Sequence, residues 1–267
     1  MPDVYAWIDA ADESVQEQLA DVLELRAADP QQRAMRDDYL RDLALPDGAR
    51  VLDVGCGTGA ITRALAERPG VGEVVGIDPS PVFIERAREL ANGISKVSFF
   101  VGSGRELPFS DGSFHAVVFH TVLSHVIDPG AALAEALRVT ADGGRLAVFD
   151  GDYATTTVAV GDDDPLQACA DAAIDALVND RYLVRRLRSL AAAAGWQEQS
   201  FRSHGYIEAA APGYMLTLVD RGADALVAAR RLGEAAAEAL KAEARRRVTA
   251  GEFFAHIAYA SLIAVRG

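Results

Sequence analysis

The stretch Val51-Leu52-Asp53-Val54-Gly55-Cys56-Gly57-Thr58-Gly59 constrains this chain more than any other. Residues 50–54 are short, apolar and partly β-branched, the composition of a buried strand. Three glycines then alternate with Cys56 and Thr58, and from Ala60 onward Ile61, Leu65 and Ala66 recur at helical spacing. A strand that runs through a Gly-rich turn into a helix brings bare backbone against a ligand, because glycine has no Cβ to hold it away. The helix start adds N–H groups with no partner inside the helix.

The spacing narrows the ligand. A dinucleotide fingerprint is G-x-G-x-x-G; here the third glycine comes one residue early, which disfavours a dehydrogenase. A second apolar strand, Val74-Val75-Gly76-Ile77, ends in Asp78, whose carboxylate can accept hydrogen bonds from both hydroxyls of a ribose; helix capping is the competing use. Pro79 leads to Ser80-Pro81, a capping residue followed by proline at a helix start. This set resembles the class I S-adenosylmethionine-dependent methyltransferases. The segment from Leu107 to Phe114 resembles the loop before the fourth strand in their small-molecule branch, which includes quinone-biosynthesis and natural-product enzymes. The resemblance covers roughly residues 50–150.

With 267 residues the chain is long enough for one α/β domain with additions. A formal charge of −13 argues against a nucleic-acid partner, because phosphate backbones are bound by basic surface. Arg185, Arg186 and Arg188, and Arg245, Arg246 and Arg247, read as solvated helix faces. Two cysteines, Cys56 and Cys169, give neither a disulfide framework nor a metal-binding spacing. The first residues lack a signal-peptide pattern and no apolar run approaches a membrane span. The expectation is a soluble, cytoplasmic protein with no membrane partner; the sequence does not speak to its oligomeric state.

Periodicity predicts helices over 13–27 and 31–44, then a doubly wound alternation. Its strands fall at 51–54, 73–77, 97–101, 115–120 and 144–150, and its helices at 58–68, 80–92 and 129–139. A loop follows at 151–163, helices at 165–178 and 181–194, and a strand at 197–208. Two more helices, 212–230 and 233–249, precede a last strand at 253–265. The resemblance implies a Rossmann-like seven-stranded sheet with its last strand antiparallel. It divides the chain into an N-terminal helical lid segment (1–48), a cofactor-binding core (49–210), a helical cap insertion (211–251) and a final core strand (252–267). Tyr5, Trp7, Arg26, Arg33 and Tyr39 can reach inward from the lid; packing and solvent are the plainer readings of each.

The resemblance also carries residue roles. Asp53 orients the amino group of the cofactor's methionine arm. Gly55, Cys56, Gly57 and Gly59 let the backbone approach it. Asp78 and Pro79 meet the ribose, and Phe83 covers ribose and adenine. Where the family commonly has an acidic residue after the third strand, this chain has Ser103 between Gly102 and Gly104, so Ser103, Gly104 and Arg105 are the candidates for adenine. His120 stands at the carboxyl end of the fourth strand, beside the crevice where open α/β sheets bind ligands, and is a candidate base or orienting group. His125, Asp152, Tyr153 and Tyr214 are candidate acceptor contacts. Carboxylates with histidines hold a divalent metal in catechol-type relatives, but that flanking pattern is missing and no metal is expected. The implied activity is methyl transfer to a small organic acceptor by direct displacement. The alternative is a cofactor-binding protein of this fold that serves as a regulator or a non-methylating catalyst.

Overall fold

The computed structural model describes residues 3–209 and 213–267. Seven strands form one sheet in the order β3-β2-β1-β4-β5-β7-β6. They are β1 (Ala49–Val54), β2 (Val71–Asp78), β3 (Val97–Val101), β4 (Phe114–His120), β5 (Thr140–Thr157), β6 (Trp196–Glu208) and β7 (Ala255–Arg266). The first five run parallel, and β7 lies antiparallel between β5 and β6. The chain leaves β1 for β2 and β3 on one side and returns to β4 on the other. Ligands bind at such a reversal, in the crevice beyond the strand ends.

Helices cover both faces. One large core gathers buried side chains such as Tyr39, Leu65, Ala173 and Val219, and a second gathers Phe114, Leu133 and Leu187. Local chemistry sets several helix starts. Asp29 accepts hydrogen bonds from Gln31 N and Gln32 N ahead of α2 (Pro30–Arg41), which follows α1 (Glu13–Ala28). Ser80 Oγ accepts from Phe83 N at 3.0 Å to open α4 (Pro81–Leu90), and Asp128 caps α5 (Pro129–Val139) in the same way. The helix after the glycine turn, α3 (Ala60–Ala66), is two residues shorter at each end than its sequence pattern.

One expectation fails in the sheet. Residues 151–157 are not loop: β5 runs on past Asp150, pairing Asp152 with Ala258 and, after a register shift, Thr157 with His256. At the shift the Thr155 hydroxyl replaces a backbone partner, accepting from Ala258 N at 2.9 Å. A short 3-10 turn, Tyr5–Ala10, also precedes α1.

Past β5 come α6 (Leu166–Leu177) and α7 (Leu183–Ala193), and between β6 and β7 the chain inserts α8 (Tyr214–Ala228) and α9 (Glu234–Ala250). The boundary expected between residues 210 and 211 lies outside the described residues. Met215, Val219 and Ala223 of α8 belong to the large core. At Gly222 the α8 backbone touches α6 directly: a Cβ there would collide with the carbonyl of Cys169. The arginines of α7 and α9 are spent on ion pairs, among them Arg185–Asp152, Arg188–Glu198, Arg245–Asp220 and Arg247–Asp164. No described helix is long and apolar enough to cross a membrane.

Candidate active site

A cavity of about 340 Å³ opens at the carboxyl ends of β1, β2 and β4. Gly55 begins the turn there with φ +68°, and a Cβ on it would stand 2.6 Å from Val122 Cγ2. Gly57, with φ +53°, lies under α1, its missing Cβ 3.0 Å from Leu23 Cδ1. Helix α1 is tied down over the turn by Glu24, which accepts from Thr58 Oγ1 at 2.5 Å and pairs with Arg63 at 2.9 Å.

At one end the wall is formed by Gly55, Gly57, Asp78, Pro79, Phe83, Ser103, Gly104 and Arg105. Asp78 is 6% exposed, and its two oxygens accept from Gly57 N and Ser80 N, each at 2.9 Å. It therefore ties the glycine turn to the start of α4 while still presenting lone pairs to the cavity. Burial raises its pKa to about 6 against those two N–H donors.

Three residues expected at this end stand behind the wall. Asp53 is covered by α3: Thr62 Oγ1 donates to its Oδ2 at 2.6 Å, and Oδ1 is buried without a partner. Burial raises its pKa to about 7, opposed by the Thr62 hydrogen bond. Cys56 is buried against Phe99 and Ala87, and burial holds its thiol protonated. Gly59 faces Phe99 rather than the cavity, so its lack of a side chain serves packing.

The other end is aromatic and basic: Tyr5, Arg26, His120, His125, Tyr153 and Tyr214 line it, with Arg221 from α8. Arg26 Nη2 donates to Thr121 Oγ1 at 2.6 Å, and its guanidinium stands 5.8 Å from the Tyr214 ring centre. His125 stacks obliquely on Tyr5 at 4.8 Å, and its Nδ1 lies 2.8 Å from Asp3 Oδ2. His120 lies on Phe149 with ring centres 4.8 Å apart. Burial, then the Arg26 and Arg36 guanidiniums, hold its imidazole well below the usual range, so it is neutral near pH 7. Asp152 is not on the wall; Arg185 holds its carboxylate at 3.0 Å. His115 accepts from Arg50 N at 3.0 Å, away from the site.

Tyr5, Trp7, Arg26 and Arg33, for which packing or solvent was the plainer reading, all line the cavity, whereas Tyr39 sits behind it, fully buried. Gln32, Arg36 and Arg221 were missed. For Arg221 a signal existed: it falls seven residues after Tyr214 and three after Leu218, on one helical stripe. Among the described residues no group of three or more His, Cys, Asp or Glu is arranged to hold a metal ion.

Residues 52–148 match the family model described as a methyltransferase domain. The chain is 35% identical over 116 residues to the 2-phytyl-1,4-naphtoquinone methyltransferase of Thermosynechococcus vestitus, covering 43% of this chain and 52% of that one. It is 36% identical over 129 residues to the demethylmenaquinone methyltransferase of Staphylococcus aureus, covering 48% and 54% respectively. The chain thus spans about half the length of the curated relatives it matches. A solved structure from Bacillus halodurans, described as a candidate methyltransferase, shares the fold with a TM-score of 0.63 at 20% identity, over 86% of this chain and 98% of that one.

Proposed function

We propose that the chain is a class I S-adenosylmethionine-dependent methyltransferase and that it transfers a methyl group to a small organic acceptor held in the 340 Å³ cavity. One observation carries the reading. The buried Asp78 carboxylate, with lone pairs still free, and the bare backbone of Gly55 and Gly57 share the wall of one cavity end. These residues fit the cofactor: Asp78 for its ribose hydroxyls, Phe83 for its sugar and base, and the glycine turn for the close approach of its methionine arm.

When bound, the cofactor supplies an electrophilic methyl on a sulfonium. The chain's own task is then alignment, exclusion of water and disposal of the acceptor's proton. Helix α1 and the turn at Tyr5–Ala10 close the cavity from above. His120 presents a neutral imidazole whose Nδ1 is engaged with Tyr39, leaving Nε2 with no hydrogen-bond partner among the described residues. Arg26 and Arg36 oppose a positive charge on that ring. His120 therefore orients the acceptor by a hydrogen bond rather than keeping its proton.

The test is a calorimetric titration with S-adenosylhomocysteine, followed by a search for methylated product with small quinols, phenols and acids. Failure of S-adenosylhomocysteine to bind the folded protein would sink the reading. Binding without turnover of any acceptor would favour the regulator or non-methylating alternative.

A further inference from the structure

In a chain of net charge −13, this cavity is basic. Five arginines line it, Arg26, Arg33, Arg36, Arg105 and Arg221, against two carboxylates, Asp9 and Asp78. Arg33 and Arg105 are exposed at the rim, and Arg36 pairs with Asp37 at 2.8 Å. That leaves Arg26 and Arg221 as interior guanidiniums with no carboxylate partner among the described residues. Both act on the Tyr5 hydroxyl, where they oppose the rise in pKa that burial imposes. Uncompensated like charges inside a low-dielectric cavity are costly, and an anion relieves them.

One anion is already accounted for if the cavity takes the cofactor, whose methionine arm carries a single carboxylate. Arg26 is the nearer partner for it, because it lies one turn along α1 from Leu23, which rests against Gly57. Arg221 enters from α8, on the stripe that carries Tyr214 and Leu218. No charge of the cofactor is left for it. Tyr5, Tyr153, Tyr214 and His125 line the same end and offer ring faces, each with a hydroxyl or ring nitrogen at its edge.

We infer that Arg221 selects the acceptor: the methylated molecule carries an oxyanion head, a carboxylate or a phosphate monoester, on a flat unsaturated frame, with the head on Arg221 and the frame between the tyrosines. The inference deepens the methyltransferase reading and rests on it. An anion in this position also draws the acceptor toward the sulfonium, and Arg supplies the planar two-pronged donor such heads fit.

The experiment uses the full chain saturated with S-adenosylhomocysteine and titrated with matched probes: benzoate and cinnamate, phenyl phosphate, and the neutral benzamide, cinnamamide and benzyl alcohol. The anionic probes are expected to bind at least tenfold more tightly than the neutral ones, by an amount that shrinks with added salt. The carboxylate and phosphate arms tell the two heads apart. Arg221→Gln should abolish the preference and leave S-adenosylhomocysteine affinity within twofold; Arg221→Lys should keep part of it. Equal binding of neutral and anionic probes by the wild type, no binding of any anionic probe, or an unchanged preference in Arg221→Gln would each overturn the inference. The wild-type comparison stands even if the Gln variant does not fold. If S-adenosylhomocysteine binds and the anion preference is absent, only this inference fails; if S-adenosylhomocysteine does not bind, the methyltransferase reading fails and takes it along.

Discussion

The hydroxyl of Tyr39 lies 2.9 Å from Nδ1 of His120, so a residue of α2 fixes the ring of a residue at the end of β4. Phe149 stacks on both rings, 5.2 Å from Tyr39 and 4.8 Å from His120, and holds the pair flat. The imidazole is therefore oriented from behind, and its pKa is lowered first by burial and then by two guanidiniums.

It follows that His120 is uncharged at neutral pH, and the turnover profile should carry no ionisation of this residue there. His120→Gln should slow turnover by about 10-fold, less than the 10²–10⁴-fold expected for loss of a general base. Tyr39→Phe should raise the Michaelis constant for the acceptor and cost about 1 kcal/mol of stability, the scale of one hydrogen bond. A large drop in turnover for His120→Gln, with a new pH dependence, would restore it as the base.

Asp78 has two duties, and its variants should separate them. Asp78→Ala strips partners from Gly57 N and Ser80 N and should lower the melting temperature as well as cofactor affinity. Asp78→Asn keeps one acceptor oxygen and should spare much of the stability. Either should weaken S-adenosylhomocysteine binding by about 1.5–3 kcal/mol, the range for hydrogen bonds to a charged group. Calorimetry on the folded Asn variant with unchanged affinity would remove the ribose role.

Cofactor affinity should rise with pH between 5 and 7. Asp78, on the cavity wall, has its pKa raised to about 6 by burial and must be ionised to accept from the ligand's ribose hydroxyls. The unliganded protein runs the other way. A carboxyl whose folded pKa lies above its unfolded value contributes most below the unfolded value, and loses that contribution as pH rises through the folded one. The stabilisation given by S-adenosylhomocysteine should therefore grow across this window, with net proton release seen by titration in buffers of different ionisation heat. A flat response would place Asp78 at an ordinary carboxylate pKa.

The N-terminal cover should be the part that answers to ligand. Helix α1 meets the rest of the chain through a small cluster around Leu19, Ala20 and Phe83 and through polar ties such as Glu24–Arg63 and Gln16–Ser80. Little apolar surface opposes its opening. Amide exchange over residues 13–28 should slow on adding S-adenosylhomocysteine, and Glu24→Gln should speed it in the free protein. Protection that is the same with and without ligand would argue against a cover.

What could be read in the sequence was what local chemistry decides. Asp29-Pro30, Ser80-Pro81 and Asp128-Pro129 start helices because a side-chain oxygen and a proline act within three residues. The glycine turn and Asp78 are legible for the same reason. The extension of β5 was missed although Tyr153, Thr155, Thr156 and Thr157 favour a strand; its partner in β7 is about a hundred residues away, and Gly151 and Asp152 looked like the start of a loop. Asp152 looked like a pocket residue until Arg185 claimed it. Asp53 and Cys56 belong to the right turn, yet which side of it faces the cavity depends on where α3 and Phe99 pack. Arg221 and the tyrosines that share its end of the cavity, Tyr5, Tyr153 and Tyr214, lie outside the stretch that matches the methyltransferase model, so likeness there carries the cofactor end more than the acceptor end.

The contact at Gly222 has a kinetic consequence. With backbone against backbone, α8 cannot swing away from α6 without unpacking the core, whereas α1 is held by a small cluster and a few polar ties. Opening the chamber therefore falls to α1, and the exchange of either ligand should run no faster than that helix lifts.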